Sequence, residues 1–293
     1  MYQAKRPVTI TISNGKGGVG KTTLTRHIPF HLALKGYKCL VIDGDPQANL
    51  TKTMIITKQL YKAADDNEIF IIEKTLMAGI RDGKIDDLVV NVMKNLDVLP
   101  SHIDFKSYPT YLSKKFGVAE ITDENYYKVE KSKMEHFKNL IDTVKPNYDF
   151  VFIDTPPTDS DFTRLASYSA DYVLIAFQTH SDSLDGAKVY IEEQLSELVQ
   201  KFDSKLEVVG ILPNEFDSSG ASDKKVIADA YEIFGEANMF KNIVKYTKRI
   251  QTIVRNGLSV EGYWNEQLAN KTMIPITDEL LERLTILESE TNE

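Results

Sequence analysis

Apolar runs rich in β-branched residues alternate along this chain with stretches whose apolar positions recur at helical spacing. Val8–Ser13, Tyr37–Asp43, Leu96–Pro100, Asp149–Asp154, Asp171–Phe177 and Leu206–Leu212 read as strands. Helical patterns lie at Lys21–Lys35, Tyr126–Val144, Ser183–Phe202 and Ser222–Phe234. Strands alternating with helices of this length predict crossover units on a parallel sheet. The runs Cys39–Ile42 and Phe150–Ile153 are apolar throughout, as in strands covered on both faces. The expected fold class is therefore α/β, a mostly parallel twisted sheet with helices on both faces.

Two longer polar stretches, 51–95 and 105–125, interrupt the alternation. Rich in Lys, Asp and Tyr, they read as mostly helical insertions within a single domain spanning 1–293. Gly36 suits the end of the first helix, and Pro29 inside that helix is expected to kink or distort it locally. From Ile276 a final amphipathic helix carries Leu280, Leu281, Leu284 and Leu287 and runs into an acidic end.

Composition narrows the functional classes. The chain has 293 residues, 42% of them hydrophobic, which is ample for a buried core. Its net charge of −8 makes it a poor general binder of polyanions, so any contact with nucleic acid must come from a local basic patch. Cys39 is the single cysteine, which rules out an intrachain disulfide; on a predicted strand it reads as a buried thiol in a reducing cytosol. No apolar run approaches the roughly 18 residues that cross a bilayer. The apolar stretch after Met1–Pro7 is too short for a signal-peptide core. A cytoplasmic protein is expected.

The first chemical signal is Gly15-Lys-Gly-Gly-Val-Gly-Lys-Thr22, a complete G-x-x-x-x-G-K-[ST] placed after a strand and before a helix. Gly15, Gly17, Gly18 and Gly20, with Val19 between them, let backbone N–H groups turn onto phosphate oxygens. The following helix N-terminus adds partial positive charge. Lys21 is placed for the β- and γ-phosphates, the Thr22 hydroxyl for Mg²⁺, and Thr23 for the α-phosphate. The second strand ends in Asp43-Gly-Asp-Pro-Gln47, at the edge of the sheet where open α/β folds bind ligands. The strand Asp149–Asp154 ends in an acid followed by Thr155, Pro156 and Pro157, an arrangement suited to holding a metal through water.

Lys16, just after the first loop glycine, gives the segment Lys16–Thr23 a pattern that resembles the deviant Walker A of the ParA/MinD class of P-loop ATPases. Asp43–Gln47 resembles the D-x-D-P-Q segment of ParA proteins, and Asp154-Thr-Pro-Pro157 their second switch. The resemblance covers about Pro7 to Gly262 and implies a P-loop NTPase fold using ATP and Mg²⁺. It implies that Lys16 reaches across a homodimer interface to the partner's nucleotide. Asp45 would orient the attacking water, Asp43 would support Mg²⁺ or the loop, and Asp154 would hold the metal. Asn214 after the strand near 208–212 would read the adenine edge, with Pro213 packing on the base.

The interval 241–255 contains Lys241, Lys245, Lys248, Arg249 and Arg255 and no acid, whereas 256–293 holds eight acids and two bases. ParA proteins bind DNA without sequence preference through basic residues of this half. Lys245, Lys248, Arg249 and Arg255 are the candidates here. The implied activity is ATP-dependent DNA partition, of a plasmid in the first instance. The implied partners are nucleoid DNA and a separately encoded centromere-binding adaptor, because no helix-turn-helix segment precedes the first strand.

A MinD-like division ATPase would need a basic membrane-attaching tail, and this tail is acidic at Glu288, Glu290 and Glu293. An iron–sulfur relative would need two cysteines per subunit. A nucleotide-binding module that builds filaments without turnover remains the alternative from another class; Asp45 beside Lys16 speaks against it.

Overall fold

The structure is a computed structural model that describes residues 2, 5–62, 74–157, 161–217 and 220–290. Part of the first expected insertion (63–73) and the last residues of the acidic tail (291–293) lie outside the described residues.

Seven strands form one sheet: β1 Val8–Ser13, β2 Cys39–Asp43, β3 Val90–Met93, β4 Leu96–Leu99, β5 Phe150–Asp154, β6 Tyr172–Gln178 and β7 Glu207–Asn214. Their order is β3-β4-β2-β5-β1-β6-β7, all parallel except β3, which pairs antiparallel with β4. The helices are α1 Lys21–Leu34, α2 Asn49–Leu60, α3 Leu76–Asp82, α4 Tyr108–Phe116, α5 Tyr126–Val144, α6 Asp161–Ser169, α7 Ser181–Val189, α8 Ser196–Phe202, α9 Ala221–Phe234, α10 Lys248–Asn256, α11 Tyr263–Leu268 and α12 Ile274–Glu290. A π-helical segment, Tyr190–Leu195, joins α7 to α8, so the helix expected over 183–202 is continuous in effect.

Side-chain alternation divides the sheet into two cores. Cys39 and Val41 of β2 face one core with Leu24, Ile28, Met54 and Leu280. Leu40 and Ile42 face the other with Phe137, Ile141, Leu165 and Phe177. Burial on both sides explains why Cys39–Ile42 and Phe150–Ile153 are apolar at every position rather than at every second one. α1 continues through Pro29 to Leu34, with His27 and His31 stacked on its buried side.

The first insertion is not wholly helical. Its end forms β3, which makes a hairpin with β4, the strand expected from Leu96, turning at Asn95 in the left-handed region (φ 65°). Polar Asn91 between Val90 and Val92 is the strand alternation that the overall polarity of the segment conceals. As an antiparallel edge strand, β3 needs only one buried face.

α2 ties distant parts of the chain together. It follows the end of β2, packs against α10, and its Thr57 hydroxyl accepts the Leu258 N–H at 2.9 Å while donating to Thr53 O at 2.8 Å. Thr57 is fully buried. Thr57→Val keeps the shape but strands a buried N–H. It is expected to lower unfolding free energy in urea titration by about 1–3 kcal/mol. A loss within error of zero would mean that this junction contributes nothing.

Candidate nucleotide site

The site lies at the carboxyl ends of β1, β2 and β5. β5 runs between β2 and β1, which sets Asp43 and Asp154 side by side as register partners. The loop from Gly15 to Gly20 leaves β1 and turns into α1 directly above them.

Asn14 anchors the loop. Its Nδ2 donates to Ala176 O (2.7 Å) on β6 and to Ser183 O (3.2 Å) on α7, and its Oδ1 accepts the Lys16 N–H at 2.8 Å. Gly20 has φ 90°, and a Cβ there would overlap Nδ2 of Asn214. Only glycine meets both demands. Lys21 is buried and turned back over the loop, its Nζ donating to Lys16 O (3.2 Å) and Pro157 O (3.4 Å). Lys16 is exposed, its stem lies against Gly186 of α7, and its ammonium enters no ion pair among the described residues.

The acids differ sharply in their surroundings. Asp43 is satisfied: Oδ2 accepts from Thr51 N (2.8 Å) and Thr51 Oγ1 (2.6 Å) at the start of α2, and Oδ1 accepts from Asp45 N (3.1 Å). Burial still pushes its pKa up to about 6 against those hydrogen bonds. Asp154 is 1% exposed, and among the described residues neither carboxylate oxygen accepts a hydrogen bond. Burial above all, then the charge of Asp43, pushes its pKa up to about 8. The nearby Thr22 hydroxyl, without completing a well-aligned bond, and the Arg26 charge pull the other way. Asp45 is 7% exposed, and its Oδ1 accepts the Gln47 N–H at 2.8 Å.

A buried carboxylate with two bare oxygens beside a threonine hydroxyl fits Mg²⁺. Among the described residues no group of three or more His, Cys, Asp or Glu could hold a metal alone.

The other expected residues fall in two places. Asn214 is buried at the end of β7, with Nδ2 donating to Val19 O (2.8 Å) and Oδ1 unpartnered. It reaches the phosphate loop directly, and Pro213 O before it accepts the Val244 N–H at 3.1 Å. Of the basic set, Lys245 bridges to Phe216 beyond β7, while Lys248, Arg249 and Arg255 belong to α10. Lys245, Lys248 and Arg255 are exposed. Arg249 is half-buried, with Nε and Nη2 on Asn265 Oδ1 (2.9 and 2.7 Å), so it also fastens α11 to α10. Lys248 and Arg255, seven residues apart, share a helix face.

Three contributors escape a motif reading. Arg26, 6% exposed, brings the buried cation whose charge acts on Asp154 and Asp43. Thr51 caps Asp43, and Asn14 braces the loop. A charged residue inside the otherwise apolar stretch of α1 is the available hint for Arg26. The other two depend on contacts across the fold that no spacing announces.

A family model described as AAA domain matches residues 8–208. Over 256 residues the chain is 25% identical to the chromosome-partitioning ATPase Soj of Treponema pallidum, covering 87% of this chain and 89% of that protein. It is 24% identical over 281 residues to a virulence plasmid ParA family protein of Chlamydia psittaci, covering 94% and 95% of the two. A putative plasmid partition protein from Borrelia burgdorferi, solved bound to AMPPNP, has the same fold. It gives a TM-score of 0.67 at 20% identity and covers 96% of this chain and 99% of that one.

The buried acid has a consequence for the nucleotide-free protein. Folded Asp154 titrates at about 8 against an ordinary 3.8, so between those values the native state holds a proton the unfolded chain has lost, and stability falls as pH rises. His27 and His31, lowered by burial to about 3 and about 4 from 6.5, act oppositely; at pH 6.5 their unfolded forms are still half protonated, so together they return roughly 0.8 kcal/mol by pH 8. From pH 6.5 to 8, without Mg²⁺ or nucleotide, urea denaturation should therefore show a net loss of about 1 kcal/mol. Asp154→Asn should abolish it; an unchanged slope in that variant would assign the loss to other groups.

Proposed function

Because the chain belongs to the AAA domain family and is a ParA-type partition ATPase, we propose that it is an ATP-switched homodimer. In this reading it binds DNA without sequence preference and segregates a plasmid. A centromere-binding adaptor stimulates its hydrolysis of ATP to ADP and phosphate. The observation that carries the reading is the division between two loop lysines: Lys21 is buried within its own loop, and Lys16 is exposed with no ion-pair partner among the described residues. A cation so placed is available to a second subunit.

Backbone N–H groups of Gly15–Thr22 and the start of α1 bind the phosphates, and Lys21 adds its charge. Thr22 and Asp154 would hold Mg²⁺, which when bound neutralises charge on the β- and γ-phosphates. Asp43 keeps the Asp45 backbone and α2 in register. Asp45 orients the attacking water and accepts its proton. Lys16 stabilises charge on the partner's triphosphate, the part an arginine finger plays elsewhere. Asn214 Oδ1 is an acceptor suited to the adenine amino group, and Pro213 precedes it.

α2 joins this chemistry to the DNA surface. Its first turn is held by Asp43 through Thr51, and its last turn holds the α10–α11 connection through Thr57 and Leu258. Loss of the γ-phosphate would free the segments after β2 and β5, shift α2, and with it the face bearing Lys248 and Arg255. Among the described residues no helix is long and apolar enough to cross a membrane. The working location in this reading is the nucleoid, in the cytoplasm.

Asp45→Ala should bind ATP with wild-type affinity yet lose stimulated phosphate release about 100-fold or more. Lys16→Ala should stay monomeric with ATP in analytical ultracentrifugation. Wild-type protein that releases no phosphate with DNA and adaptor present would sink the enzyme reading and favour a non-hydrolysing assembly module.

Alanine at both Lys248 and Arg255 should weaken ATP-dependent binding of unrelated DNA sequences equally. The slope of log affinity against log salt should become shallower by about 2. Unchanged affinity and slope would move the DNA surface elsewhere.

A further inference from the structure

Gly44 stands between the two acids of the Asp43-Gly-Asp45 segment, and its N–H donates to Asp154 O at 3.0 Å. It is thus the backbone link between the end of β2 and the end of β5. A Cβ on Gly44 would overlap Cε1 and Cζ of the Phe162 ring and lie 2.7 Å from Asp154 O. The ring edge therefore rests on the Gly44 backbone itself.

Phe162 is the second residue of α6 and is 5% exposed. Behind it the ring is held edge-to-face by Phe105 (centroids 5.1 Å, 83°) and Phe137 (5.0 Å, 72°), with Tyr108 at 6.5 Å. Phe105 and Tyr108 come from the second insertion, which the minimal sheet does not require. In front, a cavity of about 450 Å³ is lined by Gly44, Pro46, Phe105, Tyr108, Pro156 and Phe162. The prolines of both segments that follow the acidic strands thus share one cavity with this ring. That cavity leaves the segments space to shift, and the ring is the solid contact that limits the shift.

We propose that Phe162 is a positioning residue for ATP hydrolysis: it fixes the Gly44 backbone, and so the placement of Asp45 relative to Asp154. The aromatic nest of the second insertion supplies the backing that makes the ring rigid. Displacement of reacting groups by about 1 Å can cost up to 100-fold in rate, so a ring on the adjoining backbone controls turnover without touching nucleotide. The inference rests on the ATPase reading above.

The test measures kcat, KM for MgATP, nucleotide affinity and Tm for wild type, Phe162→Leu and Phe162→Met under stimulated conditions. Phe162→Leu should lower kcat about tenfold, with nucleotide affinity within about twofold of wild type. Phe162→Met, long enough to cover Gly44, should recover at least half of the lost rate. Should Phe162→Leu be insoluble, Phe105→Leu carries the same test, with kcat about threefold down at unchanged affinity. A kcat within twofold of wild type in the soluble leucine variant overturns the proposal. So does a loss of affinity and Tm in step with rate, which is the signature of simple core damage. Wild-type protein without turnover would instead defeat the ATPase reading, which separates the two failures.

Discussion

Two carboxylates sit side by side at the ends of adjoining strands, both withdrawn from water. Folding offers them unequal terms. Asp43 receives three hydrogen bonds, two from Thr51 and one from the Asp45 backbone. Asp154 receives none among the described residues, and the buried Arg26 nearby offsets only part of the cost. Buried charge that the protein leaves uncompensated is expensive, and a cation is the natural complement. The loop above, lined by backbone N–H groups and by Lys21, is in turn complementary to an anion. Each half of the site lacks what a magnesium nucleotide would bring.

The same unequal treatment explains how the site can report its state. The carboxylate that is satisfied is the one that holds α2, so the hydrogen bonds that neutralise Asp43 are also mechanical attachments. α2 reaches from there to Leu258 and the basic α10. On the opposite side, the backbone beside Asp45 rests on Phe162 and, through it, on the aromatic nest of the second insertion. A change at the strand ends therefore meets one element that carries it toward the basic face and another that limits how far it goes.

Much of this protein was legible in its sequence. Continuous apolar strands such as β2 and β5, alternating with helical patterns, define a parallel sheet with two covered faces, because burial on both sides favours apolar residues at successive positions. The glycine loop, Lys16, Lys21 and Thr22 are contiguous, and the chemistry of a phosphate cradle is local backbone chemistry. The acids at the ends of β2 and β5 were visible because strand ends are where such sheets expose their residues. β3 was concealed, since a one-faced edge strand inside a polar stretch lacks the continuous apolar signal of its neighbours, whereas its hairpin partner β4 was legible. The reversal of charge at 241–255 was also visible, but not that Arg249 is engaged with Asn265, 16 residues away.

What the sequence by itself determined is the inventory: the sheet, the loop, the acids and the basic stretch, each written in neighbouring residues. Only the tertiary structure decided how those acids differ, with Asp43 bonded to α2 and Asp154 left bare beside Thr22 and Arg26. It alone decided that Asn214 braces the loop from 195 residues away and that Phe162 lies on Gly44. The physical reason is that composition and periodicity record which groups must be buried. Hydrogen-bond satisfaction and ring contacts depend on which segments burial brings together, and that is fixed by strand order and crossover rather than by any local pattern.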